Sequence, residues 1–379
     1  MKKLLFAFLL LIHATFVHGE SRLLPPPPAP DIAARSWVLL DFQSGQVLTA
    51  HNPDMRIEPA SLTKLMTAYL SFTAIRQGRL KLDQTLPVSE KAWRTEGSRM
   101  FLDPRTPARV DDLLKGMIVQ SGNDACITLA EGIAGTEEAF AELMNREAKR
   151  LGLSNTHFMN STGLPHPQHY STARDLALLA AALIRDFPEF YPLYALKEFT
   201  YNRITQPNRN RLLWQDPYVD GVKTGHTEAA GYCLIASARR GQMRLISVVT
   251  GAASDNARTA ESQKLLNYGF QFYETYRLYQ KGQTVATLPV YKGASNTVKA
   301  GFDRDVYLSL PKGWYAQAKA SLMSRQPLLA PLTQGQAVGT LTIQIEGKPY
   351  ASYTLQALTE VPVAGMFGRA WDTVKLWFK

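Results

Sequence analysis

The chain has 379 residues, 45% of them hydrophobic and 20% charged, which suits one large domain with a smaller companion and excludes a disordered chain. Its 42 lysines and arginines against 32 aspartates and glutamates give a formal charge of +10. The basic residues are scattered, with only short pairs such as Arg239-Arg240, so a nucleic-acid partner is set aside in favour of attraction to an anionic membrane or wall polymer. Two cysteines, Cys126 and Cys233, cannot make a disulfide scaffold, although they could pair or be small buried hydrophobes. No Cys/His spacing suits zinc and no glycine-rich loop suits a phosphate, so no metal or cofactor is expected.

In chain order, Met1-Lys2-Lys3 followed by the apolar run Leu4 to Ile12 reads as an export signal over residues 1–19, with Val17 and Gly19 placed for cleavage before Glu20. Residues 20–32 form a stiff lead-in around "PPPPAP". "SWVLLDFQSGQVLTAHN" predicts a hairpin about Gln43-Ser44-Gly45. From Ser61, the positions Leu62, Leu65, Met66, Tyr69 and Phe72 recur at three and four, predicting a helix that Gly78 ends. Helical patterns follow at Val110 to Val119, Asp124 to Ile133, Glu137 to Leu151 and Thr172 to Ile184. Strands "GYCLIASA" and "RLISVVTG" come next, separated by Gly241-Gln242, and then a helix from about Ala257 to Tyr273. Beyond Tyr276 short β-type runs take over, so a domain over 33–276 and an all-β companion over 277–361 are expected. Residues 362–379 return to helical periodicity.

Ser61 and Lys64 stand three apart at a predicted helix start, on one face and within reach, which suits a serine nucleophile with a lysine base. Alone the pattern is weak, since about one Ser-x-x-Lys is expected by chance in such a chain, and a second occurs at Ser309 to Lys312. Two further motifs follow it: Ser121-Gly122-Asn123 at an interhelix turn and Lys223-Thr224-Gly225 beside a strand. Each has a plain structural reading, as a helix cap, a turn and a strand end. Together, in this order, they are the signature of penicillin-recognising serine acyl-transfer enzymes. Ser254-Asp255-Asn256 also fits Ser-x-Asn, but it falls after Lys-Thr-Gly, in the wrong order.

With "EPASLTKLMTAYL", "QSGNDAC", "LGLSNTHF", "NRNRLLW", "DGVKTGHT" and "GQMRLIS", the chain resembles the low-molecular-mass penicillin-binding proteins that are D-alanyl-D-alanine carboxypeptidases, of the penicillin-binding protein 5/6 group. The resemblance implies an α+β catalytic domain of the penicillin-binding/β-lactamase-like transpeptidase fold, with an antiparallel sheet flanked by helices, a second β-rich domain and a C-terminal membrane-binding helix. It implies removal of the terminal D-alanine from peptidoglycan pentapeptide stems, with β-lactams as covalent inhibitors. Ser61 is then the nucleophile and Lys64 the base, made neutral by desolvation and by the like charge of Lys223. Ser121 relays a proton to the leaving amine and Asn123 holds the donor peptide. Lys223 and Thr224 bind the terminal carboxylate, and the backbone N–H groups of Ser61 and His226, after Gly225, form an oxyanion hole. The His226 side chain either tunes deacylation or lines the cleft. Arg209 and Arg258 align with family arginines near the carboxylate site, and "GSRMFL" matches a loop bordering the cleft.

The chain departs from the family after "THF", where Met159 to Gly163 contain no histidine before His166. The nearest enzymatic rival, a class A β-lactamase, deacylates through a glutamate on a loop between the second and third motifs. Here no acidic residue stands between Glu147 and Asp175, which argues against it. A non-catalytic wall-binding protein has no need to keep Ser61 and Lys64, whereas an endopeptidase would share every motif. In the last segment, Phe367, Ala370, Trp371, Val374, Trp377 and Phe378 fall on one helical face, and three basic residues against one acidic give it a net charge of only +2. A helix lying flat in inner-membrane lipid, on the periplasmic side, is expected; the alternative is a helix packed on the β-rich domain.

Overall fold

The structure, a computed structural model, describes residues 25–377; the expected signal segment and Phe378-Lys379 lie outside the described residues. The predicted hairpin is present as β1 (Ser36–Asp41) and β2 (Val47–His51). The long strands β3 (Val219–Thr227), β4 (Gly231–Arg240) and β5 (Met243–Ala252) complete a five-stranded sheet in the order β2-β1-β5-β4-β3, antiparallel at every pairing. The N-terminal hairpin thus pairs with residues some two hundred positions on, Trp37 opposite Val249 and Leu39 opposite Ser247.

β1 is buried on both faces, and its side chains alternate between two cores. Val38 and Leu40 pack with Ile246 and Val248 under α1 (Lys64–Arg76) and the helix Ala173–Asp186. Trp37 and Leu39 pack with Leu245 and Val249 against Leu265 and Leu266 of the helix Asp255–Phe272. The sheet is therefore the middle layer of three.

Three sequence expectations change in detail. The recurrence at three and four implies one buried face for α1, but Lys64, Thr67 and Ser71 are buried along with its apolar residues, because it runs through the core. Ser61 precedes it, in a 3-10 turn spanning Ala60–Thr63. The helix expected from Val110 to Val119 instead divides into Val110–Lys115 and a wider π turn, Gly116–Gln120, which stops at Ser121 in a left-handed conformation, φ 69°. The helix expected from Ala257 begins two residues earlier, where Ser254 Oγ accepts from the Ala257 N–H at 3.0 Å. Ser254-Asp255-Asn256 is thus a helix cap and first turn.

The β-rich domain has its own apolar core, centred on residues such as Leu288, Val298, Leu308, Leu341 and Leu355. Its main sheet holds six strands, among them Thr284–Tyr291, Ala337–Ile345 and Lys348–Ala357. The strand Tyr273–Tyr279 crosses between the domains and pairs with Val306–Pro311, so the expected change of character at Tyr276 falls inside a strand. The second Ser-x-x-Lys lies at this junction. Ser309 is fully buried in a strand, with its Oγ 2.7 Å from Ser44 Oγ and 3.1 Å from Thr275 Oγ1. A final helix, Met366–Trp377, follows the β-rich domain.

Candidate active site

Three segments meet where the end of β3 passes the turn before α1. Gly225 makes the approach possible: a Cβ there would stand 3.1 Å from Pro59 O and 3.2 Å from Leu62 Cγ. Ala60, next to the nucleophile, is itself held at φ 47°, a conformation that L-residues with a Cβ rarely adopt. Ser61 lies inside the turn whose N-cap is Pro59, so it is not the cap residue, and Lys64 Nζ lies 3.0 Å from its Oγ. The pair is therefore arranged as nucleophile and base.

Lys64 is 1% exposed, and its amine also reaches Asn123 Oδ1 at 2.7 Å and the Thr162 carbonyl at 2.6 Å. Burial holds its pKa below the ordinary lysine value, and the repulsion that adds to this comes from Arg209. The expected source, Lys223, is itself displaced: its amine lies well below the ordinary value through burial first, and then through Lys64 and Arg209. Lys223 Nζ lies 2.9 Å from Ser121 Oγ and 3.1 Å from the Thr224 carbonyl. The groups form two linked pairs, Ser61 with Lys64 and Ser121 with Lys223.

Asn123 was expected to hold the donor peptide. In the structure both ends of its carboxamide are engaged within the protein, Oδ1 by Lys64 and Nδ2 by the Glu96 carbonyl at 2.6 Å. It orients the lysine from below. Arg258 likewise turns inward, its Nη1 donating to the Gly225 carbonyl at 3.1 Å while its Nη2 pairs with Asp255. It braces the strand end that carries Gly225. Arg209 has no hydrogen-bond or carboxylate partner among the described residues, and its pKa is lowered by desolvation and then by Arg258. It is the unpaired cation facing the cleft.

The cleft is a cavity of about 770 Å³ whose walls include Ser61, Ser121, Arg209, Thr224, His226 and Arg258. The His226 ring is exposed on this wall and packs on Tyr232 with centroids 4.0 Å apart. Lys64, Asn123 and Lys223 are buried beneath.

Several supporting residues escaped the motif reading. Asp124 is buried and accepts from the Met100 and Leu102 N–H groups, fixing the "GSRMFL" loop, while a Cβ at Gly97 would meet Asn123 Nδ2 at 2.9 Å. The segment after "THF" forms the floor under the base. Asn160 Oδ1 accepts from the N–H groups of Thr162 and Gly163, aiming the Thr162 carbonyl at Lys64, and Ser161 Oγ donates to Glu137 at 2.7 Å. Gly163 sits so close to the nucleophile turn that a Cβ would fall 1.8 Å from Ala60 O. His169 Nε2 reaches Thr63 Oγ1 at 2.9 Å, and burial lowers its pKa to about 4. Asn160 followed by Gly163 is the one local sign of this floor in the sequence, as a side-chain-capped turn. Cys126 and Cys233 are both free and buried.

Comparison with known proteins agrees with this geometry. Residues 25–254 match the family model described as D-alanyl-D-alanine carboxypeptidase, peptidase S11, and residues 273–363 match that of the penicillin-binding protein 5 C-terminal domain. The chain is 46% identical to D-alanyl-D-alanine carboxypeptidase DacC of Escherichia coli (strain K12) over 380 residues, covering 98% of this chain and 94% of that protein. It superposes on penicillin-binding protein 5 from Haemophilus influenzae with a TM-score of 0.85 at 44% identity, covering 90% of this chain and 99% of that one. Penicillin-binding protein D2 from Listeria monocytogenes, solved in an ampicillin-bound form, matches 64% of this chain and 99% of its own at 33% identity, TM-score 0.60.

Proposed function

This chain belongs to the D-alanyl-D-alanine carboxypeptidase family of serine peptidases, and from that membership we propose how its cleft divides the reaction. The activity is serine-type D-Ala-D-Ala carboxypeptidase, acting on peptidoglycan stems and open to β-lactams. Lys64, neutral, takes the Ser61 proton as Oγ attacks the carbonyl carbon of the penultimate D-alanine. The tetrahedral oxyanion is held by the backbone N–H groups of Ser61 and His226, a reading supported by the close approach that Gly225 allows. Collapse breaks the C–N bond, and the departing amine takes through Ser121 the proton that Lys64 had accepted, leaving Lys64 neutral again and the acyl group as an ester on Ser61. Water then attacks the ester, Lys64 accepts its proton, and Oγ is reprotonated as the shortened stem leaves.

Arg209, Thr224 and Lys223 bind the carboxylate of the terminal D-alanine, and the same groups take the carboxylate of a penicillin. Its arrival favours the charged form of Lys223, which disfavours a charge on Lys64 and so favours the neutral base. Asn123 orients Lys64 and offers its second Nδ2 N–H to the donor peptide, and Arg258 braces the strand end beside the carboxylate site. Glu137 and Asp175, the carboxylates bonded to the segment where a class A β-lactamase carries its base, accept from Ser161 and from Asn155 and Thr156, and both are absent from the cleft wall. The observation that carries the proposal is the 3.0 Å contact of a buried Lys64 with Ser61.

Residues 33–276 form the catalytic unit, 277–361 its companion and 362–379 an anchor that holds the enzyme on the periplasmic face of the inner membrane. No helix among the described residues is long and apolar enough to cross a membrane. The helix Met366–Trp377 supports a surface anchor because it is mounted in reverse. Phe367, Trp371 and Val374, spaced at four and three, are 93%, 64% and 43% exposed, while Asp372 is buried against the β-rich domain. A helix docked on its own core turns the apolar side inward.

The test is release of D-alanine from a pentapeptide ending in D-Ala-D-Ala. Ser61→Ala should abolish both release and covalent labelling by a fluorescent penicillin. Labelling that survives the change would refute the assignment, and cleavage of cross-linked dimers in preference to pentapeptide would make the enzyme an endopeptidase.

A further inference from the structure

Resting on the anchor reading, we propose that Lys292 and Arg369 form a site for the phosphate of an anionic phospholipid headgroup, at the joint between the C-terminal helix and the β-rich domain. A cavity of about 470 Å³ opens there, walled by Lys292 and Ala330 on one side and by Val363, Met366, Arg369 and Thr373 on the other. Neither the Lys292 ammonium nor the Arg369 guanidinium has a hydrogen-bond or carboxylate partner among the described residues.

The lysine is held in place by its backbone. Lys292 sits at φ 60°, where a lysine is disfavoured, with its N–H donating to Asp372 Oδ2 at 2.6 Å and its carbonyl accepting from the Ala364 N–H at 2.8 Å. The other Asp372 oxygen accepts from Lys375 at 3.1 Å. Both Asp372 oxygens are therefore engaged, and although Asp372 partly offsets the Lys292 charge, the two cations leave the cavity net positive among the described residues. On the helix, Arg369 lies opposite the outward stripe of Phe367, Trp371 and Val374, and the cavity wall runs from it through Thr373 and Ala370 to the edge of that stripe, so a helix lying with the stripe toward the acyl chains keeps the cations on its headgroup side. Arginine matches a phosphate with two parallel N–H donors, and lysine adds a point charge. A zwitterionic headgroup brings its own ammonium, which the same two cations repel, so the site selects anionic lipid.

The test uses the full mature chain and two kinds of vesicle, phosphatidylcholine alone and an equimolar mixture of phosphatidylcholine with phosphatidylglycerol. The variant is Lys292→Asn with Arg369→Gln, asparagine being chosen because it tolerates a positive φ. Its control is Lys81→Gln with Lys149→Gln, which removes the same charge from exposed positions of the catalytic domain. An unchanged thermal midpoint certifies that each variant is folded. The site predicts that the first variant loses about tenfold in affinity for the mixed vesicles, keeps its affinity for phosphatidylcholine, and that the control keeps both. An equal loss in the control means general charge attraction and overturns the site. Wild-type protein that binds both vesicles alike overturns the site and leaves the anchor standing. Wild-type protein that binds neither overturns the anchor as well.

Discussion

Lys64 and Lys223 are two amines buried beside one cleft, and the first consequence of taking them out of water is that neither keeps its proton as an exposed lysine does. Because the attack needs Lys64 neutral, the rate of Ser61 acylation by a penicillin should rise with pH and level off, with its midpoint below the ordinary 10.5. Stopped-flow acylation across pH measures this, and a midpoint at or above 10.5 would remove Lys64 as the base. Lys64→Arg should abolish the reaction, since a guanidinium does not give up its proton. His169 makes a different statement, about stability. Its pKa falls from 6.5 to about 4 on folding, so between those values the unfolded chain binds a proton that the folded chain refuses. Stability is therefore full above 6.5 and declines as pH drops toward 4, by up to about 3 kcal/mol. Urea unfolding across that range should show the decline in wild type and a shallower one in His169→Gln.

The elements that build the cleft differ in how far the sequence announces them. The strand carrying Lys223 and the hairpin about Ser44 follow from alternation and turn chemistry, and the motif residues stand together as their order implies. Helix α1 was legible as a helix, but not its burial on all sides. Periodicity records which residues are apolar; it does not record that a second layer covers the rest, and Lys64, Thr67 and Ser71 are polar residues satisfied in the interior. The floor at residues 159–169, signalled only by the Asn160 turn, was hard to read for another reason. It contributes to the site mainly through a backbone carbonyl and a missing Cβ, and neither is a residue type that a motif can specify. Gly163 tests its importance. With φ at 86° and Ala60 O in the place of a Cβ, Gly163→Ala should push the floor off the nucleophile turn. The expected result is a loss of about 3 kcal/mol or more of stability together with loss of acylation. An alanine variant that acylates normally would show that the Thr162 carbonyl is dispensable to the base.

At the scale of the whole molecule, the catalytic unit and the β-rich domain are joined by polar contacts that composition could not reveal. Asp41, fully buried, accepts from Ser44 and Thr275, and Ser309 closes the same group from the other domain. Those bonds fix the second domain on the side of the sheet edge that carries the hairpin. The C-terminal helix hangs from the far end of that domain through Asp372 and Lys292. Removing residues 362–379 therefore cuts at a defined place. The mutual backbone pair of Leu332 and Val361 survives, and so does the core containing both residues, while the bonds from Ala294 to Pro362 and from Ala364 to Lys292 go. Only surface backbone groups lose a partner, and water replaces it. The truncated enzyme should accordingly stay folded, release D-alanine at the wild-type rate and move from the membrane fraction to the soluble fraction. Trp371→Glu in the full chain should do the same by fractionation, because that ring is 64% exposed and a carboxylate there opposes burial in the interface without touching the Asp372 contact. Either protein remaining with the membrane after a high-salt wash would mean that the outward apolar stripe is not what holds the enzyme there.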